Sequence, residues 1–306
     1  MGPTIRSHEV GSIRCHARTA ALPSKKLPSG GEIPTARPAS RHGRGTTMAS
    51  TYTARPGPPC WYELGSDDLE AASEFYAAVL GWQTANEGGS DYVVGLDADG
   101  NGVAGMMRLA DQEGEPPPNW VFYLEVADAD ASARAVAEAG GAVLMEPSDI
   151  PDTGRFAVVA DPQGAVFSIM APRPPVEPPN SRAFEPERIG HGSWHELTTT
   201  DPEAAVAFYA SVFGWNTGEK LEMGESGGYQ IVEIDGQAAG GIMQLGGREG
   251  PAWLSYFTVP SVDDALGRAR SAGGRIVAGP NQAPGGILTA VITDPQGAGF
   301  GISGGR

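Results

Sequence analysis

Apolar and polar positions first fall into register at residues 60–64, a short run read as a strand, and then change period. Leu69, Ala72, Phe75, Tyr76, Val79 and Leu80 recur at helical spacing, which predicts a helix over 69–80. Asp68 stands where an N-cap carboxylate accepts a backbone N–H, Glu70 adds charge suited to the positive helix end, and Gly81 supplies the stop. Two short strands follow, 92–96 and 103–109. The pattern then restarts with a strand at 120–126, an Ala-rich helix over 130–139 closed by Gly140 and Gly141, and strands at 142–145 and 156–160. Asp161-Pro162-Gln163-Gly164 suits a type I turn into a returning strand at 165–170. The chain from 60 to 170 thus reads as strand, helix and three strands, twice, an α+β unit.

A shift of 133 residues repeats the whole pattern. Trp61-Tyr62-Glu63-Leu64 falls on Trp194-His195-Glu196-Leu197, Phe75-Tyr76 on Phe208-Tyr209, and Gly81-Trp82 on Gly214-Trp215. Trp120 meets Trp253, Gly140-Gly141 meets Gly273-Gly274, and Asp161-Pro162-Gln163-Gly164 meets Asp294-Pro295-Gln296-Gly297. All six tryptophans pair in this way, so the chain is a tandem duplication. The second copy keeps the same helix grammar: Asp201 caps, Pro202 takes the first helical position, and Gly214 ends the helix. The expected organisation is a basic extension at 1–52, a first domain at 53–171, a Pro-rich linker at 172–189 and a second domain at 190–304.

Charge narrows the partners. The chain carries a net charge of −16, yet residues 1–47 hold eight Lys/Arg against Glu9 and Glu32, leaving 13 basic and 35 acidic residues in the remainder. So acidic a body repels nucleic acid and anionic membrane, and neither is expected as a partner. The basic extension has no foldable pattern and reads as disordered; it superficially resembles a transit peptide, and Met48 is a candidate start. No segment has the length of a bilayer span, and Cys15 and Cys60 are too few for a disulfide framework or a cysteine-ligated zinc site, so a reducing, cytoplasmic setting is expected. No phosphate loop, dinucleotide fingerprint, nucleophile elbow or His-Glu-x-x-His motif is present.

The helix ending in Phe-Tyr and Gly-Trp, the later Gly-Gly stop and the Asp-Pro-Gln-Gly turn, in this order and twice over, resemble the vicinal oxygen chelate superfamily of glyoxalases, bleomycin resistance proteins and extradiol dioxygenases. The resemblance implies that each copy pairs two βαβββ modules into a cupped mixed sheet with outer helices and a binding cleft within. It leaves function open, because this fold hosts isomerases, dioxygenases, transferases and non-catalytic drug-binding proteins. In its metal enzymes the resemblance places His or Glu ligands at positions that fall here on Trp61, Val121, Ser168 and Met106-Met107, and on Trp194, Leu254, Gly301 and Ile242-Met243. None of these is a convincing ligand, so no cofactor is expected.

Strand alternation puts Glu63 and Glu196 on the cleft face with Trp61 and Trp194, with Tyr123 and Tyr256 facing inward too, and Met107 and Met243 on a neighbouring strand. A carboxylate in an aromatic cleft serves as a general base or as an anchor for a cationic or hydroxyl-bearing ligand, unless it is only a satisfied structural acid. His195 should point the other way, as a half-buried or interfacial histidine, and Trp82 and Trp215 should be core. The favoured expectation is a protein without the usual metal ligands that holds a small aromatic or polyketide-like molecule or drug, as a monomer of two pseudo-dimeric domains or as a homodimer. The alternative is a metal-dependent dioxygenase, hydroxylase or lyase of the same superfamily, in which a divalent metal would take part. A metal-free enzyme using Glu63 or Glu196 as proton-transfer base lies between the two.

Overall fold

The computed structural model describes residues 57–86, 91–109, 116–173, 183–223, 227–246 and 250–306; the extension at 1–52 and linker residues 174–182 fall outside them. In the first copy the elements are β1 (Pro59–Ser66), α1 (Leu69–Leu80), β2 (Gln83–Asn86), β3 (Tyr92–Leu96), β4 (Gly102–Arg108), β5 (Asn119–Glu125), α2 (Ala129–Glu138), β6 (Ala142–Ile150), β7 (Gly154–Ala160) and β8 (Val166–Pro172). The second copy repeats them as β9 (Gly192–Thr199), α3 (Pro202–Phe213), β10 (Asn216–Glu222), β11 (Gly228–Ile234), β12 (Gln237–Gln244), β13 (Ala252–Ser261), α4 (Val262–Ser271), β14 (Arg275–Gln282), β15 (Leu288–Thr293) and β16 (Gly299–Gly305).

Helix boundaries follow the cap chemistry. Asp68 Oδ1 accepts from the Glu70 and Ala71 amides at 3.1 Å, and Gly81 closes α1 in the left-handed region at φ 78°. Asp201 and Gly214 do the same for α3. Two strands escape the hydrophobic pattern. β2 and β10 are edge strands whose side chains are mostly exposed, so they have no alternation to read. β6 also runs on to Ile150, beyond the apolar stretch.

Each copy forms one eight-stranded mixed sheet, in the orders β2-β3-β4-β1-β5-β8-β7-β6 and β10-β11-β12-β9-β13-β16-β15-β14. β1 is central, parallel to β4 and antiparallel to β5. Its alternation decides what lies where. Tyr62 and Leu64 are fully buried in the core with α1, while Trp61 and Glu63 look out from the opposite face of the sheet, here called the cleft face.

The helical sides of the two copies pack on each other, and the repeated residues supply the contacts reciprocally. Trp120 donates to the Tyr76 hydroxyl at 2.9 Å, and Tyr76 donates to Asp294 in the other copy at 2.9 Å. Trp253 donates to Tyr209 at 2.8 Å, and Tyr209 donates to Asp161 at 3.2 Å. The Asp-Pro-Gln-Gly segments are therefore turns, as their sequence says, and also interdomain latches: the other carboxylate oxygen of Asp161 accepts the Gln163 and Ala165 amides. One latch is reinforced by Gln296, whose Oε1 accepts from Ser66 Oγ and from the Asp67 and Asp68 amides at 2.9–3.0 Å.

Of the linker expected at 172–189, the described residues 183–189 dock on the first copy, as do Gly190 and His191 at the start of the second domain. Arg188 sits 2.6 Å from the buried Asp97, His191 Nε2 lies 3.0 Å from the same carboxylate, and the Gly190 carbonyl accepts from Trp82 at 2.8 Å. Trp82 and Trp215 are buried as expected. Among the described residues no helix is long and apolar enough to cross a membrane.

Candidate functional site

Sheet register brings the expected cleft residues of the first copy onto one surface. Trp61 is the cross-strand partner of Tyr123, Glu63 lies between Val121 on β5 and Gly105 on β4, and Met107 lies beside Gly65 and Tyr92. The same pairing recurs in the second copy, with Trp194 opposite Tyr256, Glu196 opposite Leu254 and Gly241, and Met243 beside Tyr229. Met106 and Ile242, the other members of those methionine and isoleucine pairs, are fully buried on the helical side.

On the first cleft face Glu63 accepts two hydrogen bonds. Its Oε2 accepts from Trp61 Nε1 at 3.1 Å and from the Tyr92 hydroxyl at 3.1 Å. Its Oε1 is buried and has no hydrogen-bond partner among the described residues. Burial pushes the carboxyl up to about 7, against the opposing pull of the Tyr92 and Trp61 bonds. A group that titrates near neutrality and has one oxygen unspent can accept a hydroxyl or take up a proton.

Tyr92 and its counterpart Tyr229 are the residues that sequence reasoning missed. They are equivalent in the sheet but 137 residues apart, because β10 is three residues longer than β2 and β11 begins one residue before its tyrosine, so they stand outside the 133-residue register. Cys60 was missed as well. A register shift between Pro59 and Trp61 packs it with Tyr123, Met170 and Phe156, and burial, then the charge of Glu125, raises its thiol so that it stays neutral. Tyr123 is likewise raised, by burial first and then by the Glu63 charge.

In the second copy the bonds run differently. Trp194 Nε1 donates to the Tyr229 hydroxyl at 2.7 Å, and Tyr229 reaches Glu196 at 3.4 Å. Glu196 is half-buried where Glu63 is buried. His195 faces away from both clefts, fully enclosed between the copies.

The donor set does not fit a divalent ion. Among the described residues no group of three or more His, Cys, Asp or Glu side chains is arranged to hold a metal ion. On the first cleft face the lone pairs of Glu63 Oε2 already face an indole N–H and a phenol O–H, groups that oppose a cation.

Comparison with known proteins agrees with this architecture. The sequence profile of the Glyoxalase/Bleomycin resistance protein/Dioxygenase superfamily matches residues 60–169 and 188–302, and the chain belongs to that superfamily. It is 32% identical over 253 residues to "Putative glyoxylase CFP32" of Mycobacterium tuberculosis, covering 81% of this chain and 95% of that one. It is also 32% identical over 265 residues to "Anthracycline biosynthesis protein DauV" of Streptomyces sp. (strain C5), covering 81% and 93%. Among solved structures, the Mn(II)-bound glyoxalase of Novosphingobium aromaticivorans shares the fold with a TM-score of 0.58 at 20% identity, over 82% of this chain and 83% of that one. The substrate complex of homoprotocatechuate 2,3-dioxygenase from Brevibacterium fuscum gives 0.57 at 16% identity, over 81% and 80%.

Proposed function

We propose that the protein binds a small hydroxylated aromatic molecule of polyketide-like character on the cleft face, with Glu63 as its polar anchor. The observation that carries this reading is Glu63 Oε1, a buried acceptor that the described residues leave without a donor. A buried unpaired acceptor costs about 1–3 kcal/mol, and a ligand hydroxyl that fills the vacancy recovers it on binding. Trp61 and Tyr123, adjacent across β1 and β5, offer the flat apolar walls that an aromatic ring needs, and Met107 an adaptable edge. Anthracyclines are polycyclic hydroxylated aromatics, and the name of the DauV relative supports a ligand of that kind. Because Glu63 titrates near neutrality, it is also suited to take the proton of a bound hydroxyl.

Titration with the hydroxylated anthraquinone emodin, followed by tryptophan fluorescence, tests the reading. The expected result is saturable quenching that weakens at least tenfold in Glu63→Gln. In that variant the Trp61 and Tyr92 donors hold the amide oxygen and turn the NH2 group toward the ligand. Quenching that is non-saturable, or indifferent to Glu63→Gln, removes the proposal.

A further inference from the structure

The cleft face of the first copy carries a further buried acid beyond Tyr123. Glu125 lies two residues after Tyr123 on β5, so strand alternation returns its side chain to the same face. Sheet register sets it beside Met170 on β8, and Met170 beside Phe156 on β7. Cys60, Tyr123 and Met170 form an apolar cluster there, with Trp61, Ile150 and Phe156 packed against it. The Tyr123 and Phe156 ring centroids are 6.1 Å apart, so the aromatic wall that begins at Trp61 continues toward Glu125.

Glu125 is only 8% exposed, yet its carboxylate has neither a hydrogen bond nor an ion pair among the described residues. Burial raises its carboxyl, and no donor opposes that rise. The fold does not require an acid here: 133 residues on, the equivalent position is Thr258, whose hydroxyl donates to the Pro186 carbonyl at 2.7 Å. An unpaired carboxylate in an apolar wall is costly until something compensates its charge. A ligand hydroxyl would give it one hydrogen bond and leave the charge standing, whereas a protonated amine supplies both charge and donors, and the neighbouring aromatic rings favour a cation further. Glu63 differs, since its Oε2 already accepts from Trp61 and Tyr92 and a hydroxyl at Oε1 completes it. Val121, the cross-strand partner of Glu63, stands four residues before Glu125, which separates the two acids by about 13 Å along β5 at about 3.3 Å per residue.

We infer that the ligand bears a basic amine on an arm beyond its aromatic rings, and that Glu125 holds this amine as an ion pair. The inference rests on the binding reading above and deepens it, adding a cationic end to the ligand and naming the residue that selects it. The rings then lie between the two acids against Trp61 and Tyr123, with a hydroxyl at Glu63 and the ammonium at Glu125. The protein, at a net charge of −16, draws such a cation in from a distance, and Glu125 fixes where it comes to rest.

Calorimetric titration of the full chain with two anthraquinones tests this. Quinizarin has two hydroxyls on one outer ring and no amine; mitoxantrone has the same hydroxyls and two ethylene-linked ammonium arms on the opposite ring. The expected result is that mitoxantrone binds at least tenfold tighter than quinizarin, and that this ratio is lost in Glu125→Gln while near-ultraviolet circular dichroism shows an intact fold. Glu125→Thr, which places there the residue of the second copy, should lose the ratio as well. Glu63→Gln should weaken both anthraquinones and keep the ratio. A ratio near one in the unaltered chain, or a ratio that survives both Glu125 variants, as general attraction to an acidic protein would give, overturns the inference and leaves the binding reading standing. No binding of either anthraquinone overturns both.

Discussion

Tyr62 and His195 occupy the same position in the two copies and are hydrogen-bonded to each other, Oη to Nε2, at 3.0 Å, with their rings parallel. The bond joins one repeat position to itself, so the pseudo-two-fold axis passes between these residues. The second imidazole nitrogen lies 3.0 Å from the Ala239 carbonyl, an acceptor, which places the proton on Nδ1 and leaves Nε2 to accept from the phenol. Tyr62→Phe deprives this buried nitrogen of its donor and should cost about 1–3 kcal/mol, read as a lower urea midpoint.

Burial holds His195 down at about 4, with the Ala239 bond opposing. The unfolded ring titrates near 6.5, so between the two values the unfolded chain binds a proton that the folded chain refuses. Stability from this residue is complete above 6.5 and drains away as the pH falls toward 4. His195→Phe should be less stable at neutral pH, yet show a flatter loss across that window in urea titrations at a series of pH values.

Glu63 gives the opposite sign. Its folded value of about 7 exceeds that of an unfolded glutamate, so the folded chain holds the extra proton and stability falls as the pH rises through that interval. Glu63→Gln removes the dependence. Its stability relative to the unaltered chain should rise by about 2–3 kcal/mol between pH 4.5 and 8, at 1.36 kcal/mol per pH unit of displacement, a figure taken from the burial of this group. A constant difference across that range would show that Glu63 is not desolvated.

The latches make a fourth prediction. Tyr76→Phe and Tyr209→Phe each strip a donor from a buried aspartate, Asp294 or Asp161, and an acceptor from a tryptophan. Each should cost about 1–3 kcal/mol, and because the latches share no residue the double variant should lose close to the sum. A double variant no worse than either single one would mean that the latches act as one unit.

The fold was legible because its markers are local and doubled. Asp68, Gly81 and the Asp-Pro-Gln-Gly turns announce element ends through their own chemistry, and the six tryptophans fix the repeat. The edge strands β2 and β10 were not legible, since exposed strands carry no hydrophobic alternation. Glu63, Trp61 and Tyr123 could be placed on one face by counting in twos, but Tyr92 reaches Glu63 from a strand whose pairing no local pattern states. The same limit hid the latches: Tyr76 reads as an ordinary core residue of α1, and its bond to Asp294 spans 218 positions of sequence. Ser168 and Gly301 could be singled out only as places without a metal ligand, whereas the sheet register sets each of them beside a tyrosine.

The central claim is that Glu63 Oε1 is the acceptor kept for a ligand, and a crystal structure of the emodin complex tests it most directly. The account predicts emodin with its ring against Trp61 and Tyr123 and one hydroxyl within hydrogen-bond distance of Glu63 Oε1. Emodin bound elsewhere, or bound on this face with that oxygen still unpartnered, would contradict it.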